Sequence, residues 1–484
     1  MPFSSEQTKF CLFFFRFHRI QNHTSNRTKC CRVICHKRGT WRLLLTGTPF
    51  QNNTDEIWSL VNMATAGKVF GKIKQFNLDF GKPIKNALCK NASKHAEQQG
   101  EAARKAMQEK LKPYLLRRLK TDHLKELPPK IETCVWVRPS QQQIHMYKEK
   151  VHSKSFTAAT DTLMGSDKEA AREAMKGAFK LLSVLKNICF HPILLQKGGP
   201  EGTVGSALEQ TDLKTILNGS RKLELVVHML KSFKGVGHKT LIFSQSTQML
   251  DVIHYVLLKI PSFTIARIDG SVLQKRRATI VELFEEGKFD VLLVSTGAGG
   301  TGLTLNRASR VIMYDPVWNP SKDAQAVDRA YRIGQKQEVR VYRLFTAGTV
   351  EEKVYERQIH KTGLGMTVLT KANTSAKSLF NKDDLCKIFA QIPDGSCQLL
   401  ERFQTEDIAQ VIHAEHHTIA HAHSSVIGIT NHHGIYCNKR KNAFAEAANV
   451  GAKRLKVAVE ASDQDVSLKA PGPPFLVSDG STSS

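Results

Sequence analysis

The 484-residue chain is 41% hydrophobic and 24% charged, values of a globular protein with room for two or three domains rather than of a low-complexity one. Lys+Arg 70 against Asp+Glu 44 leaves a net charge of +26, which points to a polyanionic partner, nucleic acid first of all. No apolar run approaches the roughly 18 residues of a membrane span, and ten cysteines without paired spacing suit a reducing compartment, so a soluble intracellular protein with no membrane partner is expected.

The amino-terminal stretch "CLFFF" is too short for a secretory core. Cys30, Cys31, Cys35 and His36 lack a second ligand pair at zinc spacing, so no metal site is assigned there. "RLLLTGTP" (42–49) reads as a buried strand running into a turn. Residues 54–122 read as mainly helical and basic, and 142–195 as helical again. The glycine-bearing stretch 198–206 suits a surface linker.

From residue 240 the pattern becomes regular. "TLIFSQ" (240–245), "FTIARID" (263–269), "DVLLVST" (290–296), "RVIMYD" (310–315) and "VRVYRLFT" (339–346) are strand-like. Amphipathic helices separate them: Leu250, Ile253 and Leu257 share one face, and Ile280, Leu283 and Phe284 mark another helix. Such alternation predicts an α/β lobe with a parallel sheet covered on both faces. Thr349 and Glu352 have capping-box spacing at the start of its last helix. Past about residue 441 no sustained apolar period remains, and a disordered tail is expected over 442–484.

Two stretches carry candidate chemistry. In "NP" followed by "DAQAVDRAYRIGQ" (323–335), Asn319 as N-cap and Pro320 at the first helical position start a helix. Gln325, Arg329 and Arg332 then fall on a single helical face, where two guanidiniums and an amide can meet phosphate oxygens. "STGAGGTGLTL" (295–305) puts glycines at 297, 299, 300 and 302 after a buried strand, at the sheet edge where α/β proteins bind ligands. Taken alone, the first stretch reads rather as a solvated basic helix face, and the second fits a flexible turn equally well.

The stretches "LLLTGTPFQNN", "LRRLKTDHLKELPPK", "LKNICFHPILL", "LIFSQ", "RIDGS", "STGAGGTGLTL", "YDPVWNP" and "DAQAVDRAYRIGQ" follow one another in a single order. Together they resemble the Swi/Snf-related family of superfamily-two DNA-dependent ATPases, over roughly residues 18–365. "WSLVNMATAGKVFGKIKQFNLDFGKPIKNA", "GTVEEKVYERQIHKTGL", "LFNKDDLCKIF" and "GITNHHGIYC" are similar to its excision-repair-six-like subfamily.

The resemblance implies RecA-like helicase lobes, a complete second and an incomplete first, with helical insertions, that use ATP with Mg to move along duplex DNA or chromatin. It implies Arg329 and Arg332 as arginine fingers with Gln325 beside them, and Gly300, Gly302 and Asp328 also at the nucleotide. Thr46, Gly47, Thr48, Ser244, Gln245, Thr296 and Gly297 would face DNA, in sequence-independent and salt-sensitive contacts.

The family's acid pair before "HRIQN" is replaced here by Phe15 and Arg16, which offer magnesium no oxygen ligand, and no GxxxxGK[ST] loop occurs in the chain. The expectation is therefore a motor-family chain that does not hydrolyse ATP alone: a shortened form of an ATPase, or an inert DNA- or chromatin-binding module. The expected organisation is a non-homologous start (1–17), a lobe-one remnant with a helical insertion (18–135), and a helical linker region (136–219). Lobe two (220–368), a C-terminal helical element open to protein partners (369–441) and the tail (442–484) follow. "KRK" (439–441) and "KRLK" (453–456) have the spacing of a bipartite import signal, which with a DNA motor suggests the nucleus. His413, His417 and His421 share a helical face that suits a partner-binding element better than a metal.

Overall fold

The computed structural model describes residues 15–16, 22–35, 42–46, 54–87, 92–118, 120–153, 168–196, 204–299, 302–369, 396–400 and 423–432. All of them lie in one unit, 1–436. Gly47, Thr48, Gly300, the histidines from 413 to 421, the import-signal residues and the tail fall outside the described residues.

Seven strands form the main sheet: β3 (Lys130–Val137), β4 (Lys239–Ser244), β5 (Ile265–Ile268), β6 (Val291–Ser295), β7 (Ala308–Met313), β8 (Val339–Thr346) and β9 (Val426–Asn431). Their order is β5-β6-β4-β7-β8-β3-β9. Every pairing is parallel except that of β9 with β3. The apolar runs alternate between two cores. Ile242, Leu293 and Ile312 face the helices Arg221–Gly235 and Thr247–Leu258, whereas Leu241, Phe243, Leu292, Val294, Val311 and Met313 face Phe284 and Ala326. A strand buried on both faces has no polar side to alternate with, which is why these segments read as continuous hydrophobic runs. The α/β architecture expected from residues 240–346 is the one found.

β4 is flanked by β6 and β7, so the strand succession reverses around it. The carboxyl ends of β6, β4 and β7 therefore form the crevice where open α/β sheets bind ligands.

Several expectations change. β3, which the expected boundary at 135/136 divides, is a full member of this sheet, because its eight residues pair along the whole of β8. β9 is a strand inside the region expected to be helical; Trp136 Nε1 donates to Thr430 Oγ1 at 3.1 Å, and Leu400 packs with Trp136 in one core cluster. The linker expected at 198–206 ends early, since Val204 is buried and a helix runs over Gly205–Glu209. At the last helix, Val350–Leu369, the Thr349 hydroxyl accepts from the Glu351 amide, and the Glu352 carboxylate accepts from the amides of Gly348 and Leu399.

Helices between 54 and 111 have their own core of Ile57, Trp58, Val61, Phe76, Phe80, Met107 and Leu111. Phe70, Phe76 and Phe80 pack with ring centroids 5.0–5.6 Å apart. "RLLLT" is not a buried strand. Among the described residues β2 (Leu44–Leu45) pairs with β1 (Phe15–Arg16) alone, in a two-stranded parallel sheet, and Leu45 is 53% exposed.

Candidate phosphate- and nucleic-acid-binding edge

Helix Pro320–Val327 begins as its sequence demands: the Asn319 side chain accepts from the Ser321 amide, and proline holds the first position. It stops sooner than the periodicity implies. Asp328 caps it with φ −65°, ψ −2°, and the amides of Arg329 and Ala330 bond three residues back, to Ala326 and Val327. The tightened turn breaks the helical phase, so Gln325 stays on the helix while Arg329 and Arg332 are carried by the following turn. The single helical face expected for these three residues is thereby corrected.

That turn is stitched to the end of the glycine stretch. The Leu305 amide donates to the Arg329 carbonyl at 3.0 Å, and Asn306 Nδ2 to the Ile333 carbonyl at 3.0 Å. Arg332 is exposed and donates from Nη1 to Thr304 Oγ1 at 3.1 Å. Buried Gln335 donates from Nε2 to the carbonyls of Asn306, Ala308 and Ala330 at 2.9–3.1 Å. Two glycines make the close approach possible. Gly302 has φ +84° and Gly334 φ +98°, in the left-handed region. A Cβ at Gly334 would sit 2.8 Å from Asn306 Nδ2. Gly302, Thr304 and Arg332 thus present a glycine backbone, a hydroxyl and an exposed guanidinium together, groups suited to phosphate oxygens.

The remaining expected residues divide. Gln245 donates from Nε2 to Asp315 Oδ2 at 2.8 Å and to the Pro316 carbonyl at 2.7 Å, tying the ends of β4 and β7. Ser244 is buried and its Oγ accepts from the Ser246 amide at 3.1 Å. Thr296 is buried and Gly297 exposed in a helical turn, Thr296–Gly299, that follows β6 directly. Ser244, Gln245, Thr296 and Gly297 thus share the carboxyl edge, with Gln245 and Gly297 exposed on it. Thr46 follows β2, in the small sheet. Asp328 pairs with Lys120 at 2.8 Å.

Beneath the helix lies a buried charge chain. Arg343 Nη2 sits 2.7 Å from Glu132 Oε2, and Arg343 Nη1 3.3 Å from Asp323 Oδ2, which also accepts from Gln358 at 2.9 Å. One cation faces two carboxylates, and Glu132 is the nearer. Asp323 Oδ1 is buried with no hydrogen-bond partner. Burial accordingly pushes the Asp323 carboxyl up to about 7, against the opposing pull of Arg343.

Lys120, Thr304, Asp315 and Gln335 were not singled out from sequence. All four lie inside quoted stretches, but nothing in their spacing tells a tether from a surface residue.

The SNF2-related domain family matches residues 17–194, and the helicase conserved C-terminal domain family matches residues 221–334. DNA excision repair protein ERCC-6-like of Homo sapiens is 35% identical over 415 residues, 77% of this chain and 32% of that protein. DNA repair and recombination protein RAD26 of Saccharomyces cerevisiae is 35% identical over 378 residues, again 77% of this chain and 32% of that protein. Among solved structures, the Sulfolobus solfataricus SWI2/SNF2 ATPase core in complex with dsDNA is similar at 25% identity and TM-score 0.41, covering 79% of this chain and 73% of that one. The chain spans about a third of the length of the curated relatives it matches. With both domain families matched in order, and the second falling on the sheet whose edge carries the arginine turn, the chain belongs to the SNF2-related family of helicase-like ATPases.

Proposed function

We propose that this chain is a duplex-DNA-binding member of the translocase type, acting on DNA or chromatin in the nucleus, whose arginine turn serves a nucleotide phosphate. Arg329 and Arg332 meet the terminal phosphate with Gln325 beside them, and Gly300 and Gly302 lend backbone amides. Thr46, Gly47, Thr48, Ser244, Gln245, Thr296 and Gly297 line the DNA side. The observation that carries the reading is the exposed Arg332 guanidinium, held on Thr304 beside left-handed Gly302, where the glycine stretch runs from the end of β6 to the start of β7. The net charge of +26 and the exposed run 112–118, with Lys112, Arg117 and Arg118, supply cationic surface for a phosphate backbone.

Magnesium does not fit the residues present. Phe15 and Arg16, which stand at the positions of the family's acid pair, offer magnesium no side-chain oxygen ligand. With no phosphate-cradling GxxxxGK[ST] loop either, this 484-residue chain does not turn over ATP by itself.

Fluorescence anisotropy with a labelled duplex tests the first part: binding in about 50 mM salt is expected, weakening at least tenfold by about 200 mM. Absence of binding at low salt overturns the DNA reading. In the same preparation no DNA-stimulated phosphate release is expected, and turnover that Arg332→Ala abolishes would show the chain to be a working ATPase.

A further inference from the structure

We infer that Lys120 is a positioning residue that latches the segment joining the helical 54–111 module to β3 onto the arginine turn. Its Nζ donates to Asp328 Oδ1 and to the Tyr331 carbonyl, both at 2.8 Å, and lies 5.4 Å from the centre of the Tyr331 ring. These contacts span more than two hundred residues of sequence and close on the turn between its anchor points, Asp328 at the helix end and Tyr331 beside Arg332. A cation there also suits the carbonyl end of the helix.

A second cation continues the connection. Lys130 lies 5.4 Å from the centre of the Tyr331 ring and pairs with Glu132 at 2.6 Å. Glu132 holds Arg343 at 2.7 Å, and Arg343 reaches Asp323 at 3.3 Å. The chain of charges that starts on Asp328, at the C-cap, therefore returns to Asp323, in the first turn of the same helix. The turn itself has left regular secondary structure after Val327, so its set is decided by such side-chain ties and by its bonds to the glycine stretch. Displacing residues 115–129 must move or release the turn. The Lys120–Asp328 pair is 37% and 47% exposed, so it is screened by solvent and salt and can release without unfolding the sheet.

The consequence for phosphate binding rests on the reading of Arg329 and Arg332 given above; the latch itself does not. Hydrogen exchange on the whole chain separates the two. In Lys120→Ala and in Asp328→Ala, the amides of Tyr331 and Gln335 are expected to exchange about fivefold faster, with β4 unchanged and the double variant no faster than either single one. Lys120→Arg should return the rates to within about twofold of the parent. Inorganic triphosphate is the ligand probe, and its affinity should fall about two- to fivefold in Lys120→Ala and further in Arg332→Ala. Unchanged exchange in the turn overturns the latch. Faster exchange in the turn and β4 alike shows a merely structural lysine and overturns it too. If the turn loosens while neither variant alters triphosphate affinity, the latch stands and the phosphate reading of the turn fails.

Discussion

"RLLLT" and "TLIFS" are nearly interchangeable as strand sequences, yet the chain treats them oppositely. In β4 the residues Leu241, Ile242 and Phe243 are fully buried between β6 and β7 and under helices on both faces. At β2 a two-residue ladder to β1 leaves Leu45 53% exposed, and Leu43 just before it 38% exposed. Apolarity makes burial favourable, but neighbours decide whether there is anything to be buried against.

The sharpest test of that contrast is a pair of truncations. Phe243→Ala should cost about 3–5 kcal/mol, the transfer and cavity loss of a core aromatic, while Leu45→Ala should stay within about 0.5 kcal/mol. Urea titrations followed by tryptophan fluorescence would read both. Equal losses would mean that β2 is buried as deeply as β4.

The same contrast holds for polar groups at the sheet edge. Gln335 is buried and donates to three carbonyls, whereas Arg332 is exposed on one hydroxyl. Gln335→Ala should destabilise by about 1–3 kcal/mol by leaving buried carbonyls unpaired. Arg332→Ala should shift stability by less than about 0.5 kcal/mol while weakening phosphate binding. Thermal melts and triphosphate titrations separate the two, and a stability loss confined to Arg332→Ala would reverse the assignment.

The smallest effect concerns pH. Between its ordinary 3.8 and about 7, folded Asp323 keeps a proton that the unfolded chain releases, so its contribution to stability falls as pH rises through that window. Buried His191 acts in the other sense. Its Nδ1 accepts from the Ile193 amide and its Nε2 sits 2.7 Å from the Ile216 carbonyl, which fixes a neutral ring. Burial lowers it from 6.5 to about 4, so its contribution is lost as pH falls through that interval. The two oppose each other between about 4 and 6.5. Asp323→Asn should remove one of them, so that stability climbs more steeply with pH there than in the parent chain. Urea midpoints measured across that range would show it, and parallel curves would place the carboxyl in its ionised form.

Much of the fold was legible. The runs around Leu241, Leu292 and Val311 announced strands because a doubly covered parallel sheet leaves no polar face, and Asn319-Pro320 announced its helix through local backbone bonding. β3 and β9 were harder: their partners lie far away in sequence, and "KIETCVWV" and "VIGITN" do not themselves state which edge they will join. The arginine turn was legible as a motif and misjudged as geometry. Periodicity continues through Arg329 and Arg332, but the backbone tightens at Asp328 and swings left-handed at Gly334. Lys120 was invisible as a tether, since its partners lie on a turn more than two hundred residues onward.

The sequence alone determined the family, the cationic character, the strands of the second lobe and the residue types offered to phosphate, because each is written in local composition, hydrophobic period or an ordered set of motifs. Tertiary structure alone decided that "RLLLT" leaves Leu43 and Leu45 exposed, that β9 pairs on the edge of β3, that Asp323 is left with a share of one cation, and that Lys120 grips the arginine turn. Those outcomes depend on which distant groups arrive within a few ångströms of one another, and the energies of burial, ion pairing and hydrogen bonding are settled only at that range.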